Sequence, residues 1–447
     1  MTTIYSARWV LPVLSAPIEH GAVAVDGPVV AGVGTSSEIV ARFPEARVES
    51  FGESVILPGL VNTHTHLELT AMRGYLENEE GDFFAWLRKL TIARLERMTP
   101  DDIRVSATWG ACEAVRAGIT CVGDASDAAM SSMLALQDVG LRGVVFQESF
   151  GPDPRLADEN FAKLQEKVVA LRDVQSELVR VGVSPHAPYT VCRKQLELIA
   201  EFAQRERLPL MMHAAESEAE ELLLREGVGI FAEGLARRGI EWRAPRVSTI
   251  QYLRECGILE CEPLLAHCIR VDDEDIETLQ VTGTKVAHCP KSNAKLGHGR
   301  APLAKFVERG VTVGLGSDSV ASNNTCDLIE EARFGLLSAL QFGLRNPQLT
   351  APRVVAAAAT GGARCLGHEG EIGVLRDGYQ ADLIVVGLDG AHQVPVYDPV
   401  TALIFASSGR DVLLTIIAGR EVYRDRRVLT VDEDRLKARL NEIAKRL

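Results

Sequence analysis

Eight short apolar runs, separated by helical stretches, set the tightest limit on how this chain folds. They are VILPGLVNTHTH (55–66), ITCVGDAS (119–126), RGVVFQES (142–149), VRVGVSPHAP (179–188), LPLMMHAAE (208–216), PLLAHC (263–268), KVAHCP (285–290) and VTVGLGSD (311–318). Near-continuous apolarity marks strands buried on both faces, the condition of a parallel sheet. Amphipathic stretches such as ENFAKLQEKVVALRDVQSEL (159–178) lie between them. Such alternation predicts an α/β fold, a closed parallel (β/α)8 barrel of the TIM type. An open doubly wound sheet is the alternative. It more often carries a Gly-rich phosphate loop after its first strand, and LVNTHTHLE is not one.

The polar residues favour the barrel. His64, His66, His186, His213, His267, His288 and Asp318 each stand at or just past the C-terminal end of an apolar run. In a barrel those ends converge on one mouth, where active sites are built. Histidines scattered through a core have no reason to sort this way.

The two ends of the chain read differently. AVAVDGPVVAGV (22–33) predicts a hairpin about Asp26-Gly27, and ADLIVVGLD (381–389) and VLLTIIAGREVYRD (412–425) predict further strands with a turn at Ala418-Gly419. The expected organisation is a small β-sandwich domain from residues 1–56 and 372–430, a barrel over 57–371 and a C-terminal helix over 431–447.

Charge and cysteine content narrow the function. Lys and Arg number 48 against 61 Asp and Glu, a net charge of −13, which argues against a nucleic-acid or anionic-membrane partner. No stretch approaches the roughly 20 apolar residues of a membrane helix, and the first residues do not read as a secretory leader. Nine cysteines without a CxxC pair read as reduced thiols filling the core of a cytoplasmic protein.

His64 and His66 are two apart, so on a strand both imidazoles face one side. Alone, this pattern equally suits a half-exposed strand. His213 after LPLMM and Asp318 after VGLGS add a third imidazole and a carboxylate. Such a donor set suits a borderline divalent ion, Zn²⁺ or Fe²⁺.

LPGLVNTHTH, SPHAPYTV, HAAE, LLAHC, HCPKSNAKLGHG and GLGSDSVASNN resemble the motifs of the amidohydrolase superfamily, in order and over nearly the whole chain. Within it they are most similar to the branch of purine-type deaminases and triazine hydrolases. GEIGVLRDGYQADLIVV resembles the segment by which such chains re-enter their β-sandwich. The resemblance implies His64, His66, His213 and Asp318 as ligands of a single ion. The lysine that bridges two ions in binuclear members has no counterpart in VRVGVSPHAP. It further implies Glu216, in HAAE, as a proton shuttle, His267 as the residue that holds the attacking water, and Asp318 as acceptor of that water's proton. Without the resemblance, Glu216 is one more charge in the acidic run that continues as ESEAEEL. His288 either shapes the wall or takes part in catalysis, and His298 contacts substrate or nothing. His20, His368 and His392 are expected at the surface.

The implied substrate is a small-molecule adenine nucleoside that loses ammonia. His186 resembles the residue that contacts the purine ring, and Glu216 faces the same ring. Arg73, Trp86 and Arg155 are candidates for a flat base with an acidic tail; their plain alternatives are solvated arginines and a core tryptophan. Three features are more similar to deaminases of 6-amino-6-deoxyfutalosine, on a route to menaquinone, than to those of 5′-methylthioadenosine and S-adenosylhomocysteine. They are the continuation HTHLEL, the long segment between His213 and His267, and the sequence GSDSVASNN. The thio-nucleoside activity is the first alternative, and hydrolysis of a chloro- or amino-triazine is the next. Residues 218–262 read either as a lid over the mouth or as a surface excursion. A homodimer is common in such barrels.

Overall fold

Strands from the two ends of the chain lie side by side in the computed structural model, which describes residues 2–79, 81–341 and 347–447; every residue singled out above lies among them. From the N-terminus come β1 (Thr3–Val10), β2 (Ile18–Asp26), β3 (Val29–Thr35), β4 (Arg47–Ser50) and β5 (Ser54–Pro58). The middle supplies β6 (Leu60–Thr65), β7 (Ile119–Ser126), β8 (Arg142–Ser149), β9 (Val179–Pro185), β10 (Met211–Ala214), β11 (Leu264–His267), β12 (Lys285–His288) and β13 (Val313–Leu315). The C-terminal part adds β14 (Leu383–Gly387), β15 (Val412–Ile417), β16 (Arg420–Arg424) and β17 (Arg427–Val428).

The terminal strands form one sheet in the order β17-β16-β15-β14-β5-β1-β2-β3, with β4 paired to β1. Val10, Val23, Ile56, Leu383, Val385, Leu414 and Ile416 on these strands are buried together in one apolar cluster. The expected hairpin is there, with Asp26 opposite Val29, and the expected turn joins β15 to β16. The apolar run 55–66 is two strands, not one. Its first half, β5, pairs with β14 as far as Pro58, and Gly59 separates it from β6. Only glycine fits there, because an added Cβ would lie 2.0 Å from Thr120 Oγ1.

The eight middle strands run parallel as two four-stranded sheets, β6-β7-β8-β9 and β10-β11-β12-β13. Two parallel bridges, Val183 with Leu210 and Thr65 with Asp318, join them at both seams and close the barrel. Val61, Cys121, Val144, Phe146, Met211, Leu264 and Ala287 fill its interior. Barrel and terminal sheet are tied by a buried fork: Arg142 at the start of β8 donates from Nε and Nη2 to the two carboxylate oxygens of Asp382, at 2.8 and 3.0 Å.

Two excursions stand next to the mouth. The helix Phe83–Ile92 starts at Asp82, whose carboxylate accepts from Phe84 N and Ala85 N, and runs on into a π-turn at Ala93–Arg97. Its Phe83, Phe84 and Leu87 pack on Phe231, Leu235 and Ile240 from the segment 218–262, together with Tyr189 and Leu223. That segment is helical over Glu218–Arg225, Ile230–Arg237 and Thr249–Glu255. A last helix, Glu433–Ala444, packs on the helix Pro100–Arg116, and Arg446 beyond it donates to Asp102 at 2.6 Å. The nine cysteines are all free, and all but Cys261 are buried. One expectation fails: His368 is fully buried, its Nδ1 bonded to Glu371 at 2.7 Å, where sequence alone placed it at the surface. His20 and His392 are exposed as expected.

Candidate metal centre

The first and last barrel strands carry the centre across their seam. Asn62 holds Ser317 by two hydrogen bonds, Asn62 Nδ2 to Ser317 Oγ at 2.8 Å and Ser317 N to Asn62 Oδ1 at 2.9 Å. Thr63 Oγ1 donates to Leu315 O at 2.8 Å. With β6 and β13 in register, Asp318 N donates to His64 O at 2.9 Å. Asp318 sits at φ +55°, in the left-handed region that a residue with a Cβ adopts only when its surroundings hold it there.

The side chains then converge. Asp318 Oδ1 lies 3.4 Å from His64 Nε2 and 3.7 Å from His66 Nε2, and His66 Nε2 lies 3.2 Å from His213 Nε2. One ligand atom each of His64, His66 and Asp318 falls within 4.8 Å, and so does one each of His64, His213 and His267. Burial lowers the imidazoles of His64 and His213 to about 4 and that of His66 to about 3, so at neutral pH they offer lone pairs. Burial works the other way on Asp318, but the neighbouring imidazoles, His64 first, hold its carboxyl well below the usual range. Two imidazole nitrogens facing each other at 3.2 Å, and a buried His64 Nε2 without a hydrogen-bond partner, describe donors arranged for a cation. Three neutral imidazoles and one carboxylate fit a divalent ion of the zinc type.

The donors are themselves oriented. His213 Nδ1 donates to His186 O at 2.9 Å, and Asp318 Oδ2 accepts from Ser292 Oγ at 2.5 Å and Ser322 Oγ at 3.0 Å. Outer bonds of this kind fix ring orientation and carboxylate geometry at metal sites. Asp124 Oδ1 accepts from Thr65 Oγ1 and Leu67 N, at 2.8 and 2.7 Å, and so fixes the backbone on either side of His66.

Glu216 and His267 stand beside the donors. His267 Nδ1 donates to Asn293 Oδ1 at 2.8 Å, which turns Nε2 toward Glu216 Oε1, 3.6 Å away. His298 Nε2 is also 3.6 Å from that oxygen, and Tyr189 Oη donates to Glu216 Oε2 at 3.3 Å. Burial opposes charge on both partners. It is outweighed: Glu216 and Asp318 raise His267, and His267, His298 and His213 lower Glu216. Glu220 shapes the turn, accepting from Ala215 N and Glu216 N at 2.9 and 3.0 Å.

Other expected residues divide sharply. His186 is at the site, its Nδ1 bonded to Thr190 Oγ1 at 2.9 Å and its ring 4.6 Å from that of His213. Trp86 is buried and stacks on Phe83, whose ring meets His298 edge-on at 4.5 Å. His288 is buried in the wall, lowered to about 4 by burial. Arg73 is bonded to Glu113 and Asn324 O and lines an outer groove with Trp109 and Arg116. The Arg155 side chain is 71% exposed and forks onto Asp153. Neither arginine joins the cluster. Sequence reasoning missed Asp124, Glu148, Ser292 and Asn293. The first two stand near the ends of apolar runs, and the others lie in HCPKSN, so the rule that found the histidines applies to them as well.

Residues 55–422 match the model of a family described as the amidohydrolase family. A 5-methylthioadenosine/S-adenosylhomocysteine deaminase of Syntrophobacter fumaroxidans is 35% identical over 96% of this chain and 93% of its own. A zinc-bound adenosine deaminase structure from Xanthomonas campestris superposes with a TM-score of 0.88 at 27% identity, covering 99% of this chain and 98% of its own. The aminofutalosine deaminase of Helicobacter pylori, in complex with methylthio-coformycin, reaches a TM-score of 0.79 at 22% identity, covering 94% and 100%. At that identity the likeness shows the fold alone.

Proposed function

The chain belongs to the amidohydrolase family, and from that premise we propose that it is a metal-dependent hydrolytic deaminase of adenine nucleosides modified at the 5′ position. One observation carries the reading: two overlapping triads that share His64, one with His66 and Asp318 and one with His213 and His267, bring their ligand atoms together, with Glu216 beside His267. These residues would hold a divalent ion, whose chemistry there would be to make a nucleophile available at neutral pH by lowering the pKa of water from about 16 to about 7. We assign His64, His66, His213 and Asp318 as its ligands, and zinc as the ion that suits them best.

The residues divide the work of replacing a ring amino group by oxygen. His267, anchored through Nδ1 by Asn293, points Nε2 to where a water would be held. Glu216, ionised at rest, takes the first proton of the attacking water and delivers it to the ring nitrogen beside the attacked carbon; the second, released to Asp318, passes through Glu216 to the departing amine. Tyr189 holds one of its carboxylate oxygens by a hydrogen bond, and His298 stands 3.6 Å from the other. Asp318 takes the proton released as the new carbon–oxygen bond forms, its Oδ2 steadied by Ser292 and Ser322. His186, with Nδ1 engaged by Thr190, keeps Nε2 for the purine ring. The packed apolar contact between the helix Phe83–Ile92 and the segment 218–262 excludes water from one side of the site.

Relatives described as 5-methylthioadenosine/S-adenosylhomocysteine deaminases favour those two nucleosides as substrates. The sequence expectation of aminodeoxyfutalosine moves to second place. Its structural neighbour supports only the fold. Ammonia release from 5′-methylthioadenosine, S-adenosylhomocysteine, adenosine, aminodeoxyfutalosine and a chlorotriazine, measured side by side, tests the assignment. The highest kcat/KM is expected for a thio-nucleoside. Chloride release from the triazine without ammonia from any nucleoside would overturn it.

A further inference from the structure

Glu148 lies next to the last residue of β8, inside the barrel wall. It is 4% exposed, and its Oε1 is buried without a hydrogen-bond partner. One of its carboxyl oxygens lies within 4.8 Å of a ring nitrogen of His186 and of His213. The neighbouring donors are spent elsewhere. Arg94 donates to Glu68 and Asp127, each at 2.9 Å, and Gln147 Nε2 donates to the backbone carbonyls of Asp127 and Glu148. A buried acceptor left unmatched by its own protein calls for a donor from outside.

A second ion is not that partner. His213 would have to serve both clusters, yet its Nδ1 is bonded to His186 O and its Nε2 faces His66 Nε2. One imidazole nitrogen cannot complete two sites. The barrel order indicates what else arrives. Counting round the strands, β8 and β9 stand across from β12 and β13, so Glu148 and His186 face the side that carries Asp318. A flat ring whose reacting carbon lies near Asp318 can extend its non-reacting substituent across the mouth toward Glu148.

On the basis of the nucleoside reading above, we propose that Glu148 is a substrate-binding residue whose carboxyl group pairs with the adjacent hydroxyls of the substrate's sugar, beside His186. Two carboxyl oxygens match two neighbouring hydroxyls, and the nearest cation, Arg94, already serves Glu68 and Asp127.

The test compares ammonia release from adenosine, 2′-deoxyadenosine and 3′-deoxyadenosine by metal-loaded wild type, Glu148→Ala and Glu148→Gln, with metal content measured on each. In the wild type, removal of a hydroxyl is expected to lower kcat/KM by roughly ten- to a hundredfold. In Glu148→Ala the same removal should cost less than about threefold, because the partner is already gone, and Glu148→Gln should recover part of the discrimination. Metal content should stay unchanged. Equal hydroxyl discrimination in wild type and both variants would overturn the proposal, and so would loss of metal in step with activity, which would make Glu148 a ligand. Should Glu148→Ala not fold, Glu148→Gln decides the question by the same comparison. Absence of ammonia from every nucleoside with the wild type is a separate result: it removes the nucleoside reading itself.

Discussion

His64 and Asp318 meet twice, once through a backbone bond, where Asp318 N donates to His64 O at 2.9 Å, and once through side chains that face each other, Asp318 Oδ1 lying 3.4 Å from His64 Nε2. The seam that closes the barrel is therefore also the seam that assembles the centre. Geometry and fold are coupled at this point, and removing one ligand should act on both. His64→Ala is expected to lose bound metal and with it activity, and to unfold at a lower temperature than the metal-loaded wild type. Metal analysis and thermal unfolding on the same samples check this; full metal occupancy in the variant would refute the ligand assignment.

Glu216→Gln separates binding from chemistry. Gln keeps the size and one oxygen but carries no proton between water, ring and amine. Metal content should remain near that of the wild type, while kcat falls by about a hundredfold to ten-thousandfold. A variant with wild-type turnover would show that another group moves the proton.

Ser292 acts through Asp318. Its hydroxyl donates to Oδ2 at 2.5 Å, on the side away from the histidines. Loss of such an outer bond weakens metal binding by roughly ten- to a hundredfold. Ser292→Ala should therefore bind the ion more weakly in a competition titration, and excess metal should restore most of its activity.

Arg142 and Asp382 join the barrel to the terminal sheet as a bidentate pair buried on both sides. Arg142→Ala leaves a buried carboxylate without its cation, a change that costs about 3–5 kcal/mol. Arg142→Lys cannot reproduce the fork and should recover only part of that loss. Denaturant unfolding of the three proteins gives the order directly.

The carboxyl of Asp102 is held below the ordinary carboxylate value of 3.8: burial raises it, and Arg446 together with the Thr99 cap more than reverses this. Around that value the unfolded chain binds more protons than the folded one, so this group's contribution to stability grows with pH. It is complete above the ordinary value and disappears as pH falls through the lowered one. Asp102→Asn should be less stable than wild type at pH 6, and the gap should narrow progressively toward pH 3 in unfolding experiments.

How much of this was legible in the sequence follows from what each signal depends on. The barrel was readable because strands buried on both faces leave continuous apolar runs, and His64, His66, His213, His267 and Asp318 because their place at the run ends is a property of the chain alone. Run 55–66 concealed two strands, since Gly59 matters only through its contact with Thr120, which is distant in sequence. Arg73 and Arg155 were misjudged for a related reason. A long cation can point several ways, and Glu113 and Asp153 decide which. His368 gave no sign of burial because its partner Glu371 is also a plausible surface residue. Glu148 stands at a run end like the histidines, but the missing hydrogen bond that distinguishes it is a property of its three-dimensional surroundings.

The measurement that bears most directly on the account is a zinc titration of chelator-stripped protein, followed by ammonia release from 5′-methylthioadenosine. Stripped protein should be inactive, and activity should rise linearly and break at one ion per chain. Full activity after stripping, or a break at two ions, would contradict a single-metal centre built on His64, His66, His213 and Asp318.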